Sequence, residues 1–182
     1  IRDIEIQPHG ILFWRALTHW LGGMGVLVLT LAILPAVGMG MFQIFKSESP
    51  GPMPGKLVSR VGNTARILYF IYVVLTVVEA LALRLAGLSW FDSITHTFAT
   101  MGTGGLSTKN ASVGAFGNPK VEWLICVFMF LASVNFSLYY EAVTGSIKSL
   151  LRDSEFRFFT AIVLVAALVI TMNIAHLVGS FV

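Results

Sequence analysis

Residues 89–108 read SWFDSITHTFATMGTGGLST, and how this stretch folds decides the architecture of the chain. Ser89, followed three residues later by Asp92, has the form of a capping box and marks a helix start. Trp90, Phe91, Ile94, Phe98 and Met101 then recur at helical spacing, while Ser93, Thr95, His96, Thr97 and Thr100 fill the other faces. The pattern predicts a helix over 89–101, which at 1.5 Å per residue reaches about 18–20 Å. A hydrocarbon layer is roughly 30 Å thick, so this element cannot cross one. Gly102, Gly104 and Gly105 end it, and polar Ser107, Thr108, Lys109 and Asn110 follow. The chain is therefore expected to enter, turn over residues 102–108 and leave on the same side. Irregular backbone at membrane depth is tolerated only where protein buries it or where it lines a water-filled cavity.

The surroundings of this stretch are apolar enough for that argument to apply. Hydrophobic residues make up 56% of the 182 and charged residues 12%, the latter about half the share of a soluble domain, which excludes a water-soluble fold. Four stretches qualify as spanning helices: Ala16 to Phe45, Ile67 to Leu83, Trp123 to Tyr140 and Phe158 to Val182. Glu79 is the one Asp, Glu, Lys or Arg among them. The first holds Pro35 and five glycines and is expected to break near Pro35. The predicted class is an all-α integral membrane protein.

Charge settles the topology. The segments 46–66 and 145–157 carry seven of the twelve lysines and arginines, and the longer segments before the first span and around residues 84–122 carry five. The dense pair is expected on the cytoplasmic side, so the loop over 102–108 opens outward. The order that results is the second span of one repeat (1–45), a cytoplasmic linker (46–66), a complete span–short helix–span repeat (67–144), a second linker (145–157) and the first span of a third repeat (158–182). Pro50, Gly51, Pro52, Pro54 and Gly55 make the first linker a mobile spacer. The first ten residues do not resemble a signal peptide, and the chain is expected to be a piece of a longer polypeptide.

Several functions are excluded by what is missing. A net charge of +3 gives no basic surface for nucleic acid. The single cysteine, Cys126, lies in an apolar run and forms neither an intrachain disulfide nor a cysteine zinc site. His9, His19, His96 and His176 share no metal-ligand spacing, and no nucleophile or pair of carboxylates suggests an enzyme or a cofactor site.

The loop Thr103-Gly104-Gly105-Leu106-Ser107 has instead the residue types of a cation filter. A potassium ion sheds its water only when roughly six to eight oxygens replace it, and extended backbone supplies carbonyls for that purpose. Gly104 and Gly105 permit dihedrals that other residues resist. The short helix aims its C-terminal end, worth about half a negative charge, toward the ion path. One loop provides about a quarter of the oxygens, so four must converge. The expected ligands are the carbonyls of Thr103, Gly104, Gly105 and Leu106.

HWLGGMG at residues 19–25, followed by apolar residues to Leu34-Pro35, together with WFDSITHTFATMGTGGLST at 90–108, resembles the membrane subunit of bacterial Trk-type potassium uptake systems, in the Trk/Ktr/HKT superfamily. The resemblance runs through the whole chain. It implies four non-identical span–pore-helix–span repeats around one pseudo-tetrameric pore, of which this chain holds the end of the first, all of the second and the start of the third. It implies that Gly105 marks the ion site, and that the protein is a multi-pass homodimer in the lipid of the bacterial inner membrane, gated by a cytosolic nucleotide-binding regulatory subunit. A sodium-conducting relative is the alternative within transport. Outside transport the alternative is a membrane anchor or haem subunit, with His19 and His176 in or near spans.

Other polar residues allow two readings each. Ser133, Ser137, Glu141 and Thr144 share one face of the third span, beside Asn135 and Tyr140. They line a pore vestibule, with Glu141 at its cytoplasmic mouth, or they bond helix to helix and back to the preceding turn. Glu79 is expected to pair with Arg84 or to make a polar contact behind the short helix, and Asp92 to act as a cap. Gly22, Gly23 and Gly25 are expected to let the first span pack closely on the short helix.

Overall fold

A computed structural model describes residues 3–23, 25, 54–135, 138, 139, 142 and 151–179. These are helical, with turns and loops between, and no strand occurs among them. The chain divides into two units, 1–133 and 134–182.

In the first unit, helix α1 covers His9–Gly23 and helix α2 covers Pro54–Leu85. Pro54 takes the first helical position, where its missing N–H costs nothing. Residues 54–66 are thus helical, so Pro54 and Gly55 do not belong to a mobile spacer; Pro50, Gly51 and Pro52 lie outside the described residues, as does Pro35 with its expected break. Arg66–Leu85 is long and apolar enough to cross a bilayer.

The end of α2 has a defined geometry. Gly87 donates to the Arg84 carbonyl at 3.1 Å, and Leu88 to that of Leu83 at 3.2 Å. With Gly87 at φ 108°, these two bonds are a Schellman motif, the left-handed residue turning the chain back on the last carbonyls. Leu83 and Leu88 are buried together with Val121 and Ile125 as the core of the repeat.

Helix α3, Trp90–Met101, starts directly after this turn. Its N-cap Ser89 accepts from the Asp92 amide at 3.0 Å. With 12 residues it is about 18 Å long. It packs on α1, on α2 and on the helix over Pro119–Ser133. A 3₁₀ turn, Ser112–Phe116, leads to α4, Pro119–Ser133. Asn118 caps α4 and donates to the Ala86 carbonyl at 2.8 Å, tying its start to the end of α2. Trp20 of α1 meets Tyr72 of α2 and Phe98 of α3, with ring centroids 5.5 and 5.2 Å away.

The third apolar stretch is not one helix. α4 stops at Ser133 after about 22 Å, and residues 134 and 135 are not helical. Ser133 donates to the Met129 carbonyl at 2.8 Å, the back-bond by which a serine competes with the helix ladder. The shared face drawn through Ser133, Ser137, Glu141 and Thr144 required an unbroken helix. Ser137, Tyr140, Glu141 and Thr144 themselves lie outside the described residues.

In the second unit, helix α5 covers Ser154–Gly179, so it begins inside the segment read as the second cytoplasmic linker. The Asp153 carboxylate accepts from the Phe156 amide at 2.8 Å and starts it. Asn135 donates to Glu155 at 3.2 Å. Ser154–Ile174 is a second candidate span, apolar all round, with Phe158, Ile162, Val165, Leu168 and Met172 exposed.

Candidate functional site

The site is the turn that follows α3. Thr103 donates to the Thr100 carbonyl at 3.0 Å and Gly104 to that of Ala99 at 2.7 Å. This is a second Schellman motif, and its left-handed position is occupied by Thr103 at φ 51°. A β-branched residue there is strained by about 1–2 kcal/mol. Gly105 follows, also left-handed at φ 61°, with open space where a Cβ would lie. Gly104 has a different reason to be glycine. Its Cβ would fall 3.0 Å from Cγ and Nδ1 of His19, so packing and not dihedral freedom requires it. The need for left-handed backbone falls on Thr103 and Gly105.

The carbonyls sort in the same way. Those of Phe98, Ala99 and Thr100 accept the turn amides, so the end of the helix is capped by its own loop. The Ser107 carbonyl accepts from Nη2 of Arg15 at 2.8 Å. Between them, the carbonyls of Met101, Gly102, Thr103, Gly104, Gly105 and Leu106 accept no hydrogen bond among the described residues. Thr103 and Gly105 are exposed, whereas Ser107 and Thr108 are buried.

A polar clasp fixes the returning strand of the loop to α3. Thr108 donates to Oδ1 of Asp92 at 2.6 Å, and Ser89 donates to Oδ2 at 2.7 Å. His96 bridges the Asp92 carbonyl through Nδ1 at 2.8 Å and the Ser107 hydroxyl through Nε2 at 3.0 Å. Because Nδ1 faces a carbonyl it carries the proton, and Nε2 accepts from Ser107, whose oxygen accepts in turn from the Lys109 amide at 3.0 Å. Burial holds the His96 ring below its ordinary pKa, partly offset by Asp92, so the neutral form fits the bridge. Burial pushes the Asp92 carboxyl up, but the bonds from Thr108 and Ser89, with the nearby Lys109 charge, outweigh it and leave the group below its usual range. Asp92 is thus more than a cap: it ties the first turn of α3 to the far end of the loop.

A cavity of about 310 Å³ adjoins the loop, walled by His96, Thr100, Thr103, Gly105, Met129 and Ser133 among others. Ser133 is thereby beside the site while also back-bonded to Met129. Asn135 is engaged with Glu155.

Two sequence expectations are corrected. Arg84 does not pair with Glu79; it donates to the Leu88 carbonyl at 3.1 Å and lies over the Trp90 ring at 5.5 Å. Glu79 is fully buried and near Thr100 of α3, yet neither carboxyl oxygen closes a hydrogen bond among the described residues. Of the three glycines expected to pack, Gly23 does so, its Cβ position lying 2.8 Å from Cα of Gly102. Among the described residues, Gly22 has nothing near its Cβ position, and Gly25, left-handed at φ 70°, has nothing near it either. The sequence also concealed Arg15 and His19 as neighbours of the loop; their spacing with Gly23, at i, i+4 and i+8, was the available signal.

Among curated proteins, the chain is 43% identical over 171 residues to the Trk system potassium uptake protein TrkH of Salmonella typhimurium, covering 93% of this chain and 35% of that protein. It is 38% identical over 179 residues to the Trk system potassium uptake protein TrkG of Escherichia coli, covering 97% and 37%. Its structure matches the crystal structure of the potassium transporter TrkH from Vibrio parahaemolyticus with a TM-score of 0.70 at 37% identity, over 91% of this chain and 33% of that one. The chain therefore spans about a third of the length of these relatives. The family model for TrkH, cation transport protein, matches residues 1–179, and the chain belongs to that family.

Proposed function

We propose that this chain carries one filter loop of a potassium uptake subunit, and that potassium passes along the carbonyls of Thr103, Gly104, Gly105 and Leu106. The observation that carries the reading is the run of carbonyls from Met101 to Leu106 that accept no hydrogen bond among the described residues, bounded by the engaged carbonyls of Thr100 and Ser107 and ending in the glycine-rich stretch Thr103 to Leu106. At membrane depth an unpaired carbonyl costs several kcal/mol unless something replaces water, and a dehydrated cation does so. Strained backbone at Thr103 fits a loop whose geometry serves a ligand. The names of the relatives support potassium as the cargo.

In this reading the remaining oxygens come from the filter loops of the three other repeats, which this sequence does not contain, and the protein is a multi-pass homodimer of the bacterial inner membrane, governed by a cytosolic nucleotide-binding subunit. Ser133, on the cavity wall beside Thr103 and Gly105, lines the path.

The test is Gly105→Ser in a full-length protein bearing this sequence, with uptake of potassium and sodium measured against each other. A side chain has room there but strains the backbone, so discrimination falls at normal membrane abundance. Unchanged discrimination contradicts the assignment. Gly105→Asp, which sets a carboxylate beside the ligands, disturbs uptake more broadly.

A further inference from the structure

One face of α1 runs along the loop. Gly23 abuts Gly102 and the Met101 carbonyl, His19 abuts Gly102 and Gly104, and Arg15 reaches Ser107. These three residues are spaced by four on a single helical stripe, and they meet the loop in order, from its start at Gly23 to its end at Arg15. α1 precedes the repeat that contains the loop, so the loop meets a neighbouring element at Gly102, Gly104 and Ser107.

Among these contacts the one to Ser107 is special, because it engages the carbonyl that directly follows those of Thr103 to Leu106 in the chain. Nη2 of Arg15 lies 2.8 Å from that oxygen, a charge-assisted hydrogen bond over 92 residues of sequence. An oxygen held by a guanidinium is a poor ligand for a second cation, since the two positive charges would stand a few ångströms apart. The same bond stops the loop from rotating its last peptide. We propose that Arg15 is a positioning residue of the ion path: by holding the Ser107 carbonyl it ends the run of ion ligands at Leu106 and fixes their orientation. This inference rests on the filter reading above.

Loss of the bond should degrade ligand geometry more than it depletes folded protein. In a full-length transporter, Arg15→Gln is expected to raise the half-saturating potassium concentration on the order of tenfold, and to lower preference over sodium, with maximal uptake per folded molecule little changed. Arg15→Lys, which keeps a charged donor without the planar fork, should recover part of the loss.

A backbone ester in place of the 107–108 amide gives a second route that leaves Arg15 in position. It weakens the Ser107 carbonyl as an acceptor and removes an amide hydrogen for which the described residues show no acceptor. The ester should shift half-saturation in the same direction by a smaller factor, and should add nothing in the Arg15→Gln background. Full additivity of the two changes, or a fall in maximal uptake with unaltered half-saturation and ion preference, overturns the proposal and leaves Arg15 a fold contact. Gly105→Ser separates the two levels. If it alters ion preference while Arg15→Gln and the ester do not, the filter stands and the role of Arg15 falls. If Gly105→Ser is silent, the filter reading itself has failed.

Discussion

Helices α2 and α3 end in the same pair of hydrogen bonds, and what surrounds each ending is opposite. At α2 the left-handed residue is Gly87, with open space beside it, and the motif is sealed by Leu88 buried with Leu83. This is a stop signal in which glycine relieves the strain and apolar contact holds the turn. At α3 the left-handed residue is Thr103, the position of the sealing leucine is taken by Gly104, and the turn is held by polar bonds from Asp92, His96 and Arg15. The second ending leaves free carbonyls and keeps its strain, so the surrounding structure must over-determine it. A turn that only ends a helix has no reason to be built in this way.

The largest effect is expected at Gly102. A Cβ there would lie 2.6 Å from the backbone C and O of His19, and backbone cannot step aside as a side chain can. Gly102→Ala should therefore cost about 3 kcal/mol or more, read as lost thermal survival of the full-length protein, whereas an equivalent survival to wild type would show that α1 does not lie against the loop. Acidification acts on the clasp. The His96 ring is held below its ordinary value, so the folded state disfavours its protonation; stability is complete above about pH 6.5 and declines as pH falls below it. The contribution of Asp92, whose folded value is also depressed, is present above about pH 4 and is lost further down. The thermal midpoint should fall between pH 7.5 and 5.5, and His96→Gln should flatten that fall; an unchanged slope would remove His96 from the bridge.

Exchanging the two left-handed residues sharpens the contrast. Gly87→Thr should destabilise by about 1–2 kcal/mol with ion preference intact. Thr103→Gly should change stability least, since about 1–2 kcal/mol of relieved strain is offset by about 1 kcal/mol of added chain entropy, yet it should alter ion preference. A large stability loss in Thr103→Gly, at normal ion preference, would make this turn an ordinary one.

The short helix and its loop were legible in the sequence because their signals are local: a cap at Ser89, apolar spacing over Trp90 to Met101 and glycines after it. Gly105 was legible for the same reason. Arg15 was not, because its partner is 92 residues away and its spacing with His19 and Gly23 marks a shared helix face without saying what that face meets. Gly104 was assigned the wrong cause, since close approach by His19 leaves no mark distinguishable from a dihedral requirement. The pairing of Glu79 with Arg84 failed because the guanidinium had nearer partners in the Leu88 carbonyl and Trp90. The stop at Ser133 was hidden in an apolar run, where hydropathy outweighs the local bonding of serine and asparagine.

On this reading the bare carbonyls of Thr103 to Leu106 are ligands for the transported ion. Anomalous diffraction from crystals of the full-length transporter soaked in rubidium tests it most directly. The account predicts density within ligand distance of those four carbonyls and none bonded to the Ser107 oxygen held by Arg15. Density confined to other parts of the protein, with the loop from Thr103 to Leu106 unoccupied, would contradict it.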